Sequence, residues 1–304
     1  MRRETITTPD DDDLVLDHVD GQIASHRALL LHGLEGSSNS VYIQGMLSLF
    51  ASRGIPATAL NFRSCAREPG KVGPMIPNRR ARLYHSGETT DLDFVVGVLR
   101  KREPDTPLLA FGGSLGGNVL LKWLGENPEQ SAISAAAVVS VPYDLGAGSD
   151  HLEDTIGKAY TARFLKTLKP KAALKKRLFP TEAVAIDLPA TLRSRTFREF
   201  DNAATAPLHG FDGAEDYYQR CSSIRFVAKI RTPTLCINSE DDPFTPTAVI
   251  GRLREEAPES VSLTITARGG HVGFIGGTLP WRPWYWAENE AFDWLLRMAG
   301  LQRP

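Results

Sequence analysis

The 304-residue chain reads as an α/β protein: a mostly parallel central sheet flanked by helices, with a helical cap inserted late. Three observations predict this. Short apolar runs alternate with helix-period segments over most of the length, the pattern of strands joined by crossover helices. The alternation breaks between Tyr143 and about Arg231, where charged and helix-forming residues dominate. Finally, Gly112-Gly-Ser-Leu-Gly-Gly-Asn118 follows directly on the apolar run 107–111 and precedes a helix-spaced segment.

In chain order, residues 14–19 read as an early strand and 28–32, Ala-Leu-Leu-Leu-His, as a buried one. A helix fits 40–53, with Gly54 as its stop. Residues 55–62 form a strand. Residues 88–102 form a helix whose acidic start and basic end match its dipole. Residues 107–111 are a strand and 115–125 a helix, with Val119, Leu120, Trp123 and Leu124 on one face. Residues 135–141 are the next strand. The segment 143–231 contains Ala162-Arg-Phe-Leu-Lys-Thr-Leu-Lys and Lys171-Ala-Ala-Leu-Lys-Lys-Arg-Leu and shows little strand pattern. Strands at 232–238 and 261–266 bracket a helix at 247–257, and 286–299 is a closing amphipathic helix. The expected division is a core of residues 1–142 and 232–304, and a mainly helical cap of residues 143–231.

Composition narrows the function. The formal net charge is −1, with 42% hydrophobic and 23% charged residues, which gives no electrostatic case for a nucleic-acid partner. The basic run 166–177 reads as a solvated helix face. No apolar run reaches the roughly 18–20 residues of a membrane span, and the N-terminus lacks a signal-peptide pattern. A cytoplasmic location is expected. Cys65, Cys221 and Cys236 are too few and too scattered for a disulfide framework or a Cys-rich zinc site. No His-Glu-x-x-His or similar spacing predicts a metal, and no cofactor is expected. The oligomeric state is not legible.

The chemistry centres on Gly112-x-Ser114-x-Gly116, a strand-to-helix elbow that exposes a serine on a strained turn. A neutral hydroxyl needs a base. His271, in Ala267-Arg-Gly-Gly-His-Val-Gly-Phe after a late strand, is the candidate. The base needs a carboxylate. Leu235-Cys-Ile-Asn-Ser-Glu-Asp-Asp-Pro-Phe-Thr-Pro offers Glu240, Asp241 and Asp242 at a strand end, and spacing alone does not choose between Asp241 and Asp242. The order Ser, acid, His is that of α/β-hydrolases. A developing oxyanion needs donors. The backbone N–H groups of Leu115, after the nucleophile, and Leu34, in the loop His32-Gly-Leu-Glu-Gly-Ser-Ser, are the candidates. His32 reads as a residue that orients this loop. Trp281-Arg-Pro-Trp-Tyr-Trp reads as packing for the last helix, and Tyr84-His85-Ser86 as a structural hydrogen-bond network.

With these residues assembled, the chain resembles the YheT-like branch of the α/β-hydrolases, the AB-hydrolase-4 family, from about Leu29 to Leu296. The resemblance rests on His32-Gly-Leu-Glu-Gly-Ser-Ser, Asn61-Phe-Arg-Ser-Cys, Tyr84-His-Ser-Gly-Glu-Thr, Ser114-Leu-Gly-Gly-Asn, Thr196-Phe-Arg-Glu-Phe-Asp, Thr205-Ala-Pro-Leu-His-Gly-Phe, Asp241-Asp-Pro-Phe and Gly269-Gly-His-Val-Gly-Phe. It implies a triad of Ser114, Asp242 and His271, the acid lying four residues before Pro246. It also implies carboxylic-ester hydrolysis of a small-molecule or acyl-lipid substrate through an acyl-enzyme. Some relatives move acyl groups to alcohols, so acyl transfer is the alternative, and a non-catalytic small-molecule receptor is a second. The chain departs from the family at Ser64, where Gly is usual, in a longer 67–82 segment with Pro69, Pro74 and Pro77, and at Gly113, where many relatives carry an aromatic.

Overall fold

The computed structural model describes residues 1–23, 25–68, 73–277 and 283–301. Its strands are β1 (Arg2–Thr7), β2 (Asp13–Val19), β3 (Arg27–Leu31), β4 (Ala57–Asn61), β5 (Leu108–Gly113), β6 (Ile133–Val139), β7 (Thr234–Ser239) and β8 (Val261–Thr266). They form one sheet in the order β1-β2-β4-β3-β5-β6-β7-β8. The pairs β1–β2 and β2–β4 are antiparallel, and every pair from β4 to β8 is parallel. A short ribbon, Ile275–Gly276 with Trp284–Tyr285, stands apart.

Strands β4 and β5 are buried at every residue, so both faces of the sheet must be covered. Alternation along β3 shows how. Ala28 and Leu30 point into one core cluster, with Phe50 of α1 (Val41–Ser52) and Phe292 of the closing helix Trp286–Met298. Leu29 and Leu31 point into the other, with Val95 of α2 (Thr89–Arg102), Leu120 of α3 (Leu115–Glu126) and Ile250 of the helix Thr247–Glu256. The period of two along one strand therefore sets which helices lie on which side.

Strand β1 has no counterpart in the sequence reading. Arg2-Arg-Glu-Thr-Ile-Thr buries only Ile6, so no apolar alternation announces it. It is an edge strand guarded by charge, and Arg3 grips Asp17 of β2 through two bonds of 2.8 Å. The Asp10–Asp13 run that follows is tied to the core through Arg63. Arg63 is 2% exposed. Its guanidinium donates to Asp10 and Asp12 at 2.8 and 2.7 Å and to both oxygens of Asp91 at 2.8 and 2.7 Å. Removing the cation strands several carboxylates. We expect Arg63→Met to lower unfolding free energy by about 3–5 kcal/mol, measured by urea denaturation; a neutral result would contradict this role.

Ser64 has φ 58°, a left-handed backbone that suits glycine. The serine is held there because its hydroxyl donates to Asn78 Oδ1 at 2.5 Å and accepts the Asn78 N–H at 3.2 Å. The departure at Ser64 is thus tied to the long segment that follows it. Pro69 lies outside the described residues.

Between β6 and β7 the chain forms the helices Leu145–His151, Thr155–Leu178, Leu188–Arg193, Phe197–Phe200, Ala206–His209, Ala214–Cys221 and Ile224–Val227, with a π-helical turn at Asp201–Thr205. The basic run on the second of these is not wholly solvated, as the sequence suggested. Lys171 is 9% exposed and Lys175 fully buried. Four residues apart, they share one helix face. Lys175 donates to the carbonyls of Asn78 and Arg80. Of the tryptophan cluster, Trp286 packs beside Phe274 at 5.9 Å between ring centroids. Trp284 is exposed, and Trp281 lies outside the described residues.

Candidate active site

Ser114 sits between the end of β5 and the start of α3 with φ 51° and ψ −123°, a conformation that costs a non-glycine residue energy and persists only where neighbours impose it. They do. A Cβ on Gly112 would lie 2.7 Å from Gly117 Cα, and one on Gly116 would lie 2.6 Å from the carbonyl oxygens of Leu31 and His32. The Ser114 N–H donates to Val139 O at 2.8 Å. At Gly113, a Cβ would meet the Tyr42 ring at 2.6 Å. Tyr42 of α1 therefore occupies the space that an aromatic at 113 would need.

The structure brings the distant candidates to this serine. His271 Nε2 is 2.9 Å from Ser114 Oγ. Its Nδ1 is 3.0 and 3.1 Å from the two oxygens of Asp242. Asp242 is 2% exposed, and its Oδ1 also accepts the Phe244 N–H at 2.9 Å. Asp241 does something else: its Oδ1 accepts the N–H groups of Gly269 and Gly270 at 2.9 and 2.7 Å. Those bonds hold its carboxyl below the usual range. Glu240 lies 3.7 Å from Arg254. One carboxylate thus touches the imidazole while its neighbour fixes the loop carrying it. Ser140 Oγ accepts the Val272 N–H at 2.9 Å, and Ser239 Oγ donates to Gly270 O at 3.0 Å. The Phe244 ring covers the imidazole with centroids 4.0 Å apart.

Leu34 and Leu115 line the same cavity as Ser114. Among the described residues, no protein acceptor takes the N–H of either. The loop bearing Leu34 is held at several points. His32 is buried, its Nδ1–H donates to Gly33 O at 2.7 Å, and its Nε2 accepts the Phe62 N–H at 3.1 Å. Those partners specify the neutral Nδ1–H tautomer. The Tyr42 hydroxyl accepts the Gly33 N–H at 2.5 Å. Glu35 takes φ 55°; its N–H donates to the Tyr84 hydroxyl at 2.6 Å, and Lys171 Nζ donates to its Oε1 at 2.5 Å. Sequence reasoning missed Tyr42, Tyr84 and Lys171 as supports of this loop. Only Tyr84 carried a signal, through its motif.

Burial pushes the His32 imidazole down from 6.5 to about 4. Between those values the unfolded chain binds a proton that the folded chain does not, so stability falls as pH drops. We expect urea midpoints of the wild type to fall from pH 6.5 to 4. His32→Gln, which can serve both backbone partners, should lose about 3 kcal/mol less over that window. Parallel acid limbs would contradict the assignment.

The cavity encloses about 120 Å³. Its lining combines Leu34, Leu115 and Phe244 with Leu145, Phe164 and Phe197 from the segment between β6 and β7, and the Phe164 and Phe244 rings meet at 6.1 Å between centroids. Among the described residues no cluster of His, Cys, Asp or Glu could hold a metal ion, and no helix is long and apolar enough to cross a membrane.

The family described as "alpha/beta hydrolase fold" matches residues 29–278. YheT of Escherichia coli (strain K12) is 39% identical over 269 residues, covering 88% of this chain and 76% of that protein. "Phospholipase ABHD3" of Mus musculus is 32% identical, covering 92% and 67%. "Monoacylglycerol lipase" of Saccharomyces cerevisiae is 29% identical, covering 90% and 59%. Among solved structures, the Pyrococcus furiosus esterase Pf2001 superposes with a TM-score of 0.58 at 17% identity, covering 97% of this chain and 91% of that one. Est1E from Butyrivibrio proteoclasticus gives 0.59 at 14% identity, covering 98% and 99%. At those identities the structural likeness speaks for the fold.

Proposed function

The chain belongs to the α/β-hydrolase family, in its YheT-like branch, and on that premise we propose that it hydrolyses carboxylic esters through Ser114, His271 and Asp242. The observation that carries the reading is the continuous contact from a strained Ser114 through His271 to the buried Asp242.

In this reading Ser114 Oγ attacks the ester carbonyl carbon as its proton passes to His271 Nε2. Asp242 fixes the imidazole with Nδ1–H toward itself and stabilises the imidazolium. The carbonyl oxygen, now an oxyanion, takes the N–H groups of Leu34 and Leu115, whose lack of protein acceptors leaves them available. Collapse breaks the bond to the alcohol oxygen, which leaves with the His271 proton. Water then attacks the acyl-enzyme, giving its proton to His271, and the acid departs as Ser114 recovers the proton. Residues 143–231 act as a cap on the core of 1–142 and 232–304, supplying one wall of an apolar cavity suited to a small-molecule ester or an acyl lipid. The names of the phospholipase and monoacylglycerol lipase relatives agree with that substrate class. Three free, buried thiols fit a reducing, cytoplasmic setting.

Hydrolysis of p-nitrophenyl esters from acetate to palmitate tests the reading, with products analysed with and without added ethanol. Free acid as the product supports the hydrolase. Ethyl ester as the main product would make it an acyltransferase, and no turnover by folded protein on any ester would point to a receptor.

A further inference from the structure

Asp201 is unused by the reaction above and lies in the wall of the same cavity as Ser114. It opens the π-helical turn Asp201–Thr205, a backbone feature that recurs at functional sites. The residue is 9% exposed. Its Oδ1 accepts the Thr205 hydroxyl at 2.6 Å and its Oδ2 the Tyr218 hydroxyl at 2.8 Å. Among the described residues no cation pairs with it. Arg198, whose charge acts on Asp201 without an ion pair, is engaged by Asp150 and Glu215, and its guanidinium lies over the Tyr218 ring at 5.2 Å. Burial raises the Asp201 carboxyl to about 6, against the lowering effect of its two hydroxyl donors and of Arg198.

A buried carboxylate without a cation is costly in an apolar wall. Two hydroxyl donors leave each oxygen with a further acceptor site. The cavity that Asp201 lines is walled largely by apolar side chains such as Leu145, Leu152, Phe164 and Phe197, with Ser86, Ser149 and Tyr217 among its polar residues; Ser149 Oγ is 3.4 Å from the Tyr218 hydroxyl. Each oxygen already has one hydroxyl donor, and a further donor could come from a molecule bound in the cavity.

We propose that Asp201 is the specificity-determining anchor of this cavity, accepting a hydrogen bond from a hydroxyl or ammonium group that the substrate carries apart from its scissile ester. This rests on the ester-hydrolase reading and adds the substrate class: esters with a second, donor-bearing end. A purely structural Asp201 would serve only Thr205 and Tyr218, and its loss would affect all esters alike.

The test compares matched esters. One series is p-nitrophenyl alkanoates of six to ten carbons beside their ω-hydroxy and ω-ammonio analogues. The other is alkyl acetates beside their ω-hydroxyalkyl and ω-ammonioalkyl counterparts. The readout is the ratio of kcat/KM for the donor-bearing ester to that for its methyl-terminated match. The wild type should prefer at least one donor-bearing ester, and Asp201→Leu should lower that ratio by roughly tenfold to a hundredfold. Asp201→Asn, which keeps the size, separates the donors: it cuts an ammonium ratio and largely spares a hydroxyl ratio. A wild type that prefers no donor-bearing ester overturns the proposal, as does an unchanged ratio in Asp201→Leu or, should that variant not fold, in Asp201→Ala. In those cases Ser114-dependent hydrolysis still stands. Hydrolysis of no ester at all overturns both.

Discussion

Ser114→Ala is expected to reduce ester turnover by roughly 10⁵–10⁶-fold while the protein stays folded. The magnitude follows because nucleophile and base act as a unit, so removing one forfeits nearly all of their joint contribution. Residual rate acceleration would come from binding and the Leu34 and Leu115 donors alone. The fold should tolerate the change. Alanine keeps the Cβ that already fits at φ 51°, and the Ser114 N–H bond to Val139 is untouched. Circular dichroism establishes folding, and stopped or continuous assay of p-nitrophenol release gives the rate. Wild-type turnover by the variant would remove Ser114 from the mechanism.

Asp242→Asn should cost roughly 10⁴-fold in kcat, the scale expected when a triad acid becomes an amide. The amide N–H₂ of asparagine can donate to His271 Nδ1, which drives the proton to Nε2. That nitrogen faces Ser114 Oγ at 2.9 Å and, once protonated, cannot accept the serine proton. Asparagine still offers an oxygen to the Phe244 N–H, so the loss reflects the tautomer more than the fold. Asp241→Asn is the control. Its amide oxygen still accepts the N–H groups of Gly269 and Gly270, and the loss should stay within about tenfold. Equal losses at the two positions would undo the choice of Asp242.

Much of this was legible because it is local. The elbow at Ser114 is fixed by glycines two residues to either side, and β3 and β5 announce themselves as apolar runs. His271 and Asp242 were found through chain order and resemblance, since their contact joins loops 29 residues apart. Choosing Asp242 over Asp241 from the residues alone fails for a physical reason. Adjacent side chains at a strand end point in different directions, and only the closed loop shows which one meets the imidazole. Strand β1 escaped because an edge strand has one buried residue and therefore no period. Lys171 escaped because its partner Glu35 is 136 residues away, so composition made it look like solvated charge. Asp201 ends a motif of the resemblance, but its burial without a cation emerges only when the helices between β6 and β7 close over the sheet.

If Ser114 is the nucleophile, it should be the residue that a serine-directed phosphonylating reagent labels. The experiment treats the wild type with an alkyl fluorophosphonate and measures intact mass, the labelled peptide and remaining ester hydrolysis on the same sample. Attack by Ser114 on phosphorus would expel fluoride and leave one phosphonyl group per chain. A single adduct on Ser114 is expected, with activity lost in proportion to labelling. Ester hydrolysis that survives complete labelling of Ser114, or activity lost through an adduct elsewhere while Ser114 stays free, would contradict it.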